Sequence, residues 1–155
     1  MIILLLILNY NIYFANLHSH TALSDGAGTP AEAYLYARDT AGIDILAITD
    51  HSYALTEASH RQLKDAASRF TTEDKFIAIF GQEFGSVAID GFGHFNIFEA
   101  ESLCMINCSD LNGFYDWAGR LNKLCQFNHP AYNSKNFNNF IYNSKADVCI
   151  GLLEI

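Results

Sequence analysis

Six histidines punctuate a chain of 155 residues. Two of them, His18 and His20, stand two apart behind an apolar run from Ile12 to Leu17. On an extended strand, side chains i and i+2 point to the same face, so both imidazoles can turn toward one cation. Asp25 lies just beyond, in the turn Ser24-Asp25-Gly26, and offers an oxygen to a neighbouring ion. Taken alone, the same residues read equally well as a polar pair closing a strand. The candidates that decide between the two are His51 after Asp50, Glu83 after Gly81-Gln82, His94 after Gly91-Phe92-Gly93, and His129 between Asn128 and Pro130.

These side chains do chemistry together only if secondary structure delivers them to one place. After the strand Ile12 to Leu17, the run Thr29-Pro30-Ala31-Glu32 places Thr at N-cap, Pro at N1 and Glu at N3, a capping box with a proline start. The helix it opens turns Ala33, Leu35, Tyr36 and Ala37 inward and ends at Gly42, which accepts the left-handed conformation. A nearly continuous apolar strand, Ile43 to Thr49, follows and ends at Asp50-His51. From Thr56 to Phe70, the residues Ala58, Leu63, Ala66, Ala67 and Phe70 recur at helical spacing, and His60 falls among the charged remainder as a surface residue. Strands are expected over Phe76 to Phe80, Phe95 to Phe98, Leu124 to Phe127 and Val148 to Glu154. A helix capped by Ser109 or Asp110 carries Leu111, Phe114, Trp117, Ala118 and Leu121 inward, and the Asn- and Ser-rich segment Ala131 to Ala146 reads as a loop with a short irregular helix.

Strand and helix alternating in this order imply right-handed crossovers and a parallel α/β sheet, either open or curled into a barrel. In such barrels the loops after the strands share one rim. His18 and His20 end the first strand, His51 the second, Glu83 the third and His129 the fifth. His94 fits less well, because it precedes its apolar run and needs the preceding glycine turn to reach the rim. Joint delivery of imidazoles and carboxylates to one rim points to a multinuclear metal site, with zinc, manganese or iron equally compatible. Asp50, beside His51, is either an orienter that fixes a histidine tautomer or a proton carrier.

Composition narrows the setting. Half the residues are apolar and 17% are charged, as in a globular domain, and the length suits one domain. A net charge of -8 with only nine Lys plus Arg excludes bulk electrostatic binding of nucleic acid. An acidic chain that handles an anionic substrate needs a local positive centre, which bound divalent metals supply. Arg38, Arg120 and Lys123 are conceivable phosphate contacts but read better as solvated charges. Cys104, Cys108, Cys125 and Cys149 form no Cys-x-x-Cys pair and read as idle thiols. Residues 1–11 form an apolar extension whose first eight residues, Met1 to Leu8, fall short of the roughly 20 that span a bilayer. They lack the basic start of a signal peptide, which favours the cytoplasm over export while leaving a signal remnant open. No dinucleotide or phosphate-loop glycine fingerprint is present.

The motifs Leu17-His18-Ser19-His20-Thr21, Ser24-Asp25-Gly26, Ile48-Thr49-Asp50-His51, Gly81-Gln82-Glu83, Gly93-His94-Phe95-Asn96 and Asn128-His129-Pro130 follow one another as in a known family. Together they resemble the PHP domain, named for polymerase and histidinol phosphatase, over residues 12–155, in the style of its stand-alone bacterial members. The resemblance implies a distorted (β/α)7 TIM-like barrel, two or three divalent metal ions (Zn, Mn or Fe) at its rim, and hydrolysis of a small phosphorylated substrate by a metal-bound hydroxide. It implies that His18 and His20 bind one metal, that Glu83 bridges it to a second completed by His94 and His129, and that Asp25 and His51 serve a third. Family members also carry a late Asp-x-His for which this chain has no counterpart before Ile155, so the barrel is expected to be incomplete. Two rivals stand beside this reading: a PHP-type hydrolase of a carbamate or amide bond, and an inactive fragment.

Overall fold

The computed structural model describes residues 11–86, 91–130 and 136–155. The apolar run Met1 to Leu8 and residues 131–135 of the Asn- and Ser-rich loop lie outside the described residues. Six strands form one sheet in sequence order: β1 (Ala15–Asn16), β2 (Ile45–Ile48), β3 (Ile77–Ser86), β4 (Gly93–Phe98), β5 (Cys125–Asn128) and β6 (Ile150–Leu153). Among the described residues, three helices of seven or more residues accompany them: α1 (Pro30–Tyr36), α2 (Glu57–Phe70) and α3 (Leu111–Leu121).

The sheet is mixed, which corrects the expectation of a parallel one. β1–β2, β2–β3 and β5–β6 pair parallel, but β4 runs antiparallel to both β3 and β5. Only six residues separate Ser86 from Gly93, and parallel neighbours need a connection of a dozen or more. Reversing β4 brings its first residues, not its last, to the rim reached by the C-terminal ends of β2 and β5. In register, His94 stands opposite Gly85 and Asn128, and Asn96 stands opposite Glu83.

The sheet is curled into a half-barrel. Laid flat at about 4.8 Å per strand, β1 and β6 would lie about 24 Å apart. Instead His18, just after β1, touches Glu154, just after β6, at 3.2 Å, and Leu17 and Leu152 line one cavity of about 360 Å³. Asn96 on β4 reaches across the interior to donate to the Leu17 carbonyl at 3.0 Å.

The helix ends form as their residues dictate. Thr29 Oγ1 accepts from Glu32 N at 3.2 Å while Glu32 Oε2 accepts from Thr29 N at 2.7 Å, completing the capping box. α1 continues into one π-helical turn, Ala37–Ala41, and stops at Gly42 with φ +66°. Asp110 caps α3 by accepting from Gly113 N at 2.8 Å.

Two helix faces differ from expectation. On α1 Pro30 and Tyr34 are buried, the Tyr34 hydroxyl donating to the Ile79 carbonyl at 2.7 Å, while Leu35 and Tyr36 are exposed. Pro30, Tyr34 and Ala37 are the residues that face inward, a spacing of four and three. On α2 the buried stripe is His60, Leu63 and Ala67, spaced i, i+3, i+7, so His60 is a core residue and not a surface one. It is 3% exposed, its Nε2 donates to the Ala100 carbonyl at 2.8 Å, and its Nδ1 has no partner.

Helices and sheet enclose two apolar clusters. α1 and α2 cover β2 and β3 through Tyr34, Leu46, Ile48, Leu63 and Phe76. α3 covers β4 and β5 through Phe95, Ile97, Phe114, Ala118 and Cys125. The first strand is shorter than its apolar run: Ile12, Tyr13 and Phe14 are exposed, and only Ala15 and Asn16 pair with β2. At the other end a helical turn, Ala146–Cys149, occupies the start of the expected last strand and leaves β6 four residues.

Candidate metal centre

Glu83 sits within β3, its side chain 1% exposed, with the carboxylate turned to the concave face of the sheet. Burying a carboxylate is unfavourable unless partners hold its charge. Here five imidazoles do so. His18 Nε2, His94 Nδ1 and His129 Nε2 lie 3.2, 3.1 and 3.2 Å from Oε1. His51 Nδ1 and His20 Nε2 lie 2.9 and 3.4 Å from Oε2. Beneath them Asn128 Nδ2 lies 2.8 Å from both Glu83 Oε1 and Asn96 Oδ1, and Gln126 Nε2 donates to Asn128 Oδ1 at 3.0 Å. This ladder of buried amides fixes the floor of the site.

Each ring is delivered by a different device. Ser19 turns away from the sheet interior, its hydroxyl donating to the Ala47 carbonyl and its own carbonyl accepting from Thr49 N, each at 2.7–2.8 Å. The flanking His18 and His20 therefore share the opposite face, with their Nε2 atoms 3.0 Å apart. His51 is placed by an isolated parallel bridge to Glu83. His94 follows Gly93, whose φ of +114° suits glycine alone and turns the chain into β4. His129 follows β5 with φ +29°. His129 is the most open of the five, its side chain 34% exposed.

Asp25 reaches the other side of the cluster, 3.5 Å from His20 Nδ1 and 3.4 Å from His51 Nε2. Asp50 is fully buried, and among the described residues its carboxylate bonds Thr21 and Ser24 and no histidine. Its carboxylate accepts from Thr21 N at 2.7 Å, Thr21 Oγ1 at 2.7 Å and Ser24 Oγ at 2.6 Å. Because Ser24 spends its proton on Asp50, its oxygen is left to accept from His20 Nδ1 at 3.3 Å. Sequence reasoning passed over Ser24, over the amides of Gln126, Asn96 and Asn128, and over Glu154, whose Oε2 meets His18 Nδ1 at 3.2 Å and His129 N at 2.8 Å. Tyr53, stacked on His51 at a ring distance of 4.9 Å, was also missed. Ser24, Asn96 and Asn128 stand inside motifs flanking the ligand candidates, whereas Gln126, Glu154 and Tyr53 have only a spatial signal.

Electrostatics follows the geometry. Burial works against the Glu83 charge, but hydrogen bonds from His18, His51 and His94, with the charge of His94, outweigh it and hold its carboxyl well below the usual carboxylate range. His18 is opposed by burial yet raised above the ordinary imidazole value by Glu83 and Glu154. His51 is raised chiefly by its hydrogen bond to Glu83. His20 is lowered, because burial and the neighbouring His51 and His18 outweigh Glu83.

Three overlapping groups bring their donor atoms within 4.8 Å of one another: His18, His20 and Glu83; His20, Asp25 and His51; and His51, Glu83 and His94. Among the described residues every ion-pair partner of Glu83 is a histidine. Neutral imidazoles are lone-pair donors, so the set fits divalent cations better than a fixed Lys or Arg partner would. Arg38 is engaged by Asp39 at 2.7 Å. Among the described residues no helix is long and apolar enough to cross a membrane.

No protein-family model matches the chain, and no curated protein does. Solved structures do. A two-domain protein from Bacteroides vulgatus, described as containing a predicted PHP-like metal-dependent phosphoesterase, superposes with a TM-score of 0.54 at 19% identity, over 84% of this chain and 38% of its own. A protein from Bifidobacterium adolescentis assigned as a metal-dependent phosphoesterase aligns at 22% identity and a TM-score of 0.43, over 70% of this chain and 35% of its own. The chain thus spans well under half the length of either structure. Its mixed, curled α/β sheet is the fold that it shares with the PHP-like protein.

Proposed function

We propose that this chain supplies the metal-binding part of a phosphoesterase. The observation that carries the reading is the buried Glu83 carboxylate, whose two oxygens each face a separate group of imidazoles. Divalent cations held by such a set supply positive charge to phosphoryl oxygens and acidify a bound water to a pKa of about 7. The chain's own residues do the rest. Glu83 would hold such cations together with His18, His94 and His129, which lie beside Oε1, and with His20 and His51, which lie beside Oε2 and next to Asp25. Buried Asp50 accepts the Ser24 hydroxyl hydrogen, and the Ser24 oxygen in turn accepts a hydrogen bond from the far ring nitrogen of His20 and orients the ring. His129, the most open ring, is the one that an incoming substrate meets first.

The test is turnover of an aryl phosphate by the full-length protein reconstituted with zinc, manganese or iron(II), set beside an aryl carbamate. Phosphate hydrolysis that needs metal and disappears in Glu83→Ala supports the proposal. Carbamate turnover alone, or undiminished activity in Glu83→Ala, rejects it.

A further inference from the structure

We infer that Glu154 is a positioning residue for this centre, holding the Nδ1 side of the His18 ring so that Nε2 stays turned toward Glu83. The inference rests on the metal-binding reading and adds a residue that the resemblance leaves unassigned. His18 uses its two nitrogens in different directions. Nε2 faces Glu83 Oε1 at 3.2 Å and His20 Nε2 at 3.0 Å, while Nδ1 faces Glu154 Oε2 at 3.2 Å. An ionised carboxylate only accepts hydrogen bonds, so Nδ1 donates to Glu154, and Nε2 is the nitrogen that faces Glu83 and the place a cation would take.

The same Glu154 oxygen accepts from His129 N at 2.8 Å. His129 is a non-glycine residue at φ +29°, a conformation that persists only where its surroundings hold it. One carboxylate oxygen therefore fixes a ring that follows β1 and a main-chain turn that follows β5. Glu154 can do this because its own backbone is anchored: its N–H donates to the Phe127 carbonyl at 2.9 Å, continuing the β5–β6 ladder by one residue. Supporting groups built on strands hold a site more precisely than groups on loops. Its contacting oxygen already meets two N–H donors on the outer side of the His18 ring, so Glu154 acts through the histidines and not as a ligand. His20 has separate support in Ser24, and the effect is confined to His18 and His129.

The deciding measurement is nitrogen-15 NMR of the imidazoles in the metal-free protein, joined to zinc titration calorimetry, for wild type, Glu154→Gln and Glu154→Ala. Wild-type His18 is expected to carry an Nδ1–H that exchanges slowly with solvent. Glu154→Ala should lose that protection and weaken zinc binding by about 10- to 100-fold. Glu154→Gln retains one acceptor oxygen and should recover part of both. Retention of a protected Nδ1–H and of wild-type affinity in Glu154→Ala overturns the proposal. If Glu154→Ala does not fold, Glu154→Gln decides, and wild-type affinity with unchanged His129 amide shifts refutes the role. Should the wild type bind no zinc, the functional reading falls, while Nδ1–H protection in the metal-free protein still decides Glu154.

Discussion

His51 Nδ1 and Glu83 Oε2 stand 2.9 Å apart, the shortest of the five imidazole contacts to that carboxylate. Without metal, this contact raises the His51 pKa above the ordinary imidazole value, and Glu83 does the same for His18 against the pull of burial. A raised histidine contributes stability that is fully present below its unfolded pKa and is lost as pH rises through the folded one. Metal competes with these protons, so zinc binding near and just above pH 6.5 should release protons and should tighten as pH increases. Calorimetry in two buffers of different ionisation enthalpy reads the proton count. Zero release across that window would mean that neither ring is a ligand.

Gly26 packs directly beneath the His20 main chain. A Cβ there would stand 2.3 Å from the His20 carbonyl oxygen and 2.8 Å from Thr21 N, both backbone atoms that cannot step aside. Gly26→Ala should therefore cost about 1–3 kcal/mol, the usual range for overpacking, and displace His20 and Asp25 together. Urea unfolding and zinc titration check the two effects. Wild-type values in both would show that the turn has room to relax.

His60 offers a test of the core. Its imidazole is buried on the α2 face that meets Phe80, with Nε2 bonded to Ala100 and Nδ1 unpartnered. A surface histidine in this helix would change stability by less than about 0.5 kcal/mol when replaced by alanine. The buried one should cost about 1–3 kcal/mol, through lost packing and an orphaned Ala100 carbonyl. Chemical denaturation of His60→Ala distinguishes the two.

Burial sorts the four cysteines. Cys104, Cys125 and Cys149 lie in the core beneath α3, and burial pushes the Cys104 thiol up to about 12. Cys108 is exposed. At pH 8 iodoacetamide should label Cys108 alone in the folded protein and all four after unfolding, as read by mass spectrometry. Early labelling of Cys104 would show that the loop pinned by Gln82 at 2.7 Å opens in solution.

That His18, His20, His51 and His129 follow strands was legible residue by residue, and the fold brings all four to Glu83. His94 was the awkward candidate because a parallel sheet puts residues before a strand at the wrong end. The six-residue link between Ser86 and Gly93, too short for a parallel crossover, was the available clue to a reversed β4. His60 was misplaced for a different reason: counted among polar residues, it hid the i, i+3, i+7 stripe that it shares with Leu63 and Ala67.

What the sequence determined by itself was local. The Thr29 capping box, the Gly42 stop, the His18-Ser19-His20 alternation and the apolar runs of β2 to β5 depend on residues a few positions apart, whose sterics and hydrogen bonds are written in the chain. What only the tertiary structure decided depends on the direction and curl of the sheet. Reversal of β4 carries His94 to Glu83, and closure of the half-barrel brings Glu154 to His18, 136 residues away in sequence. No short-range pattern encodes that approach, because it is the accumulated twist of six strands that sets it.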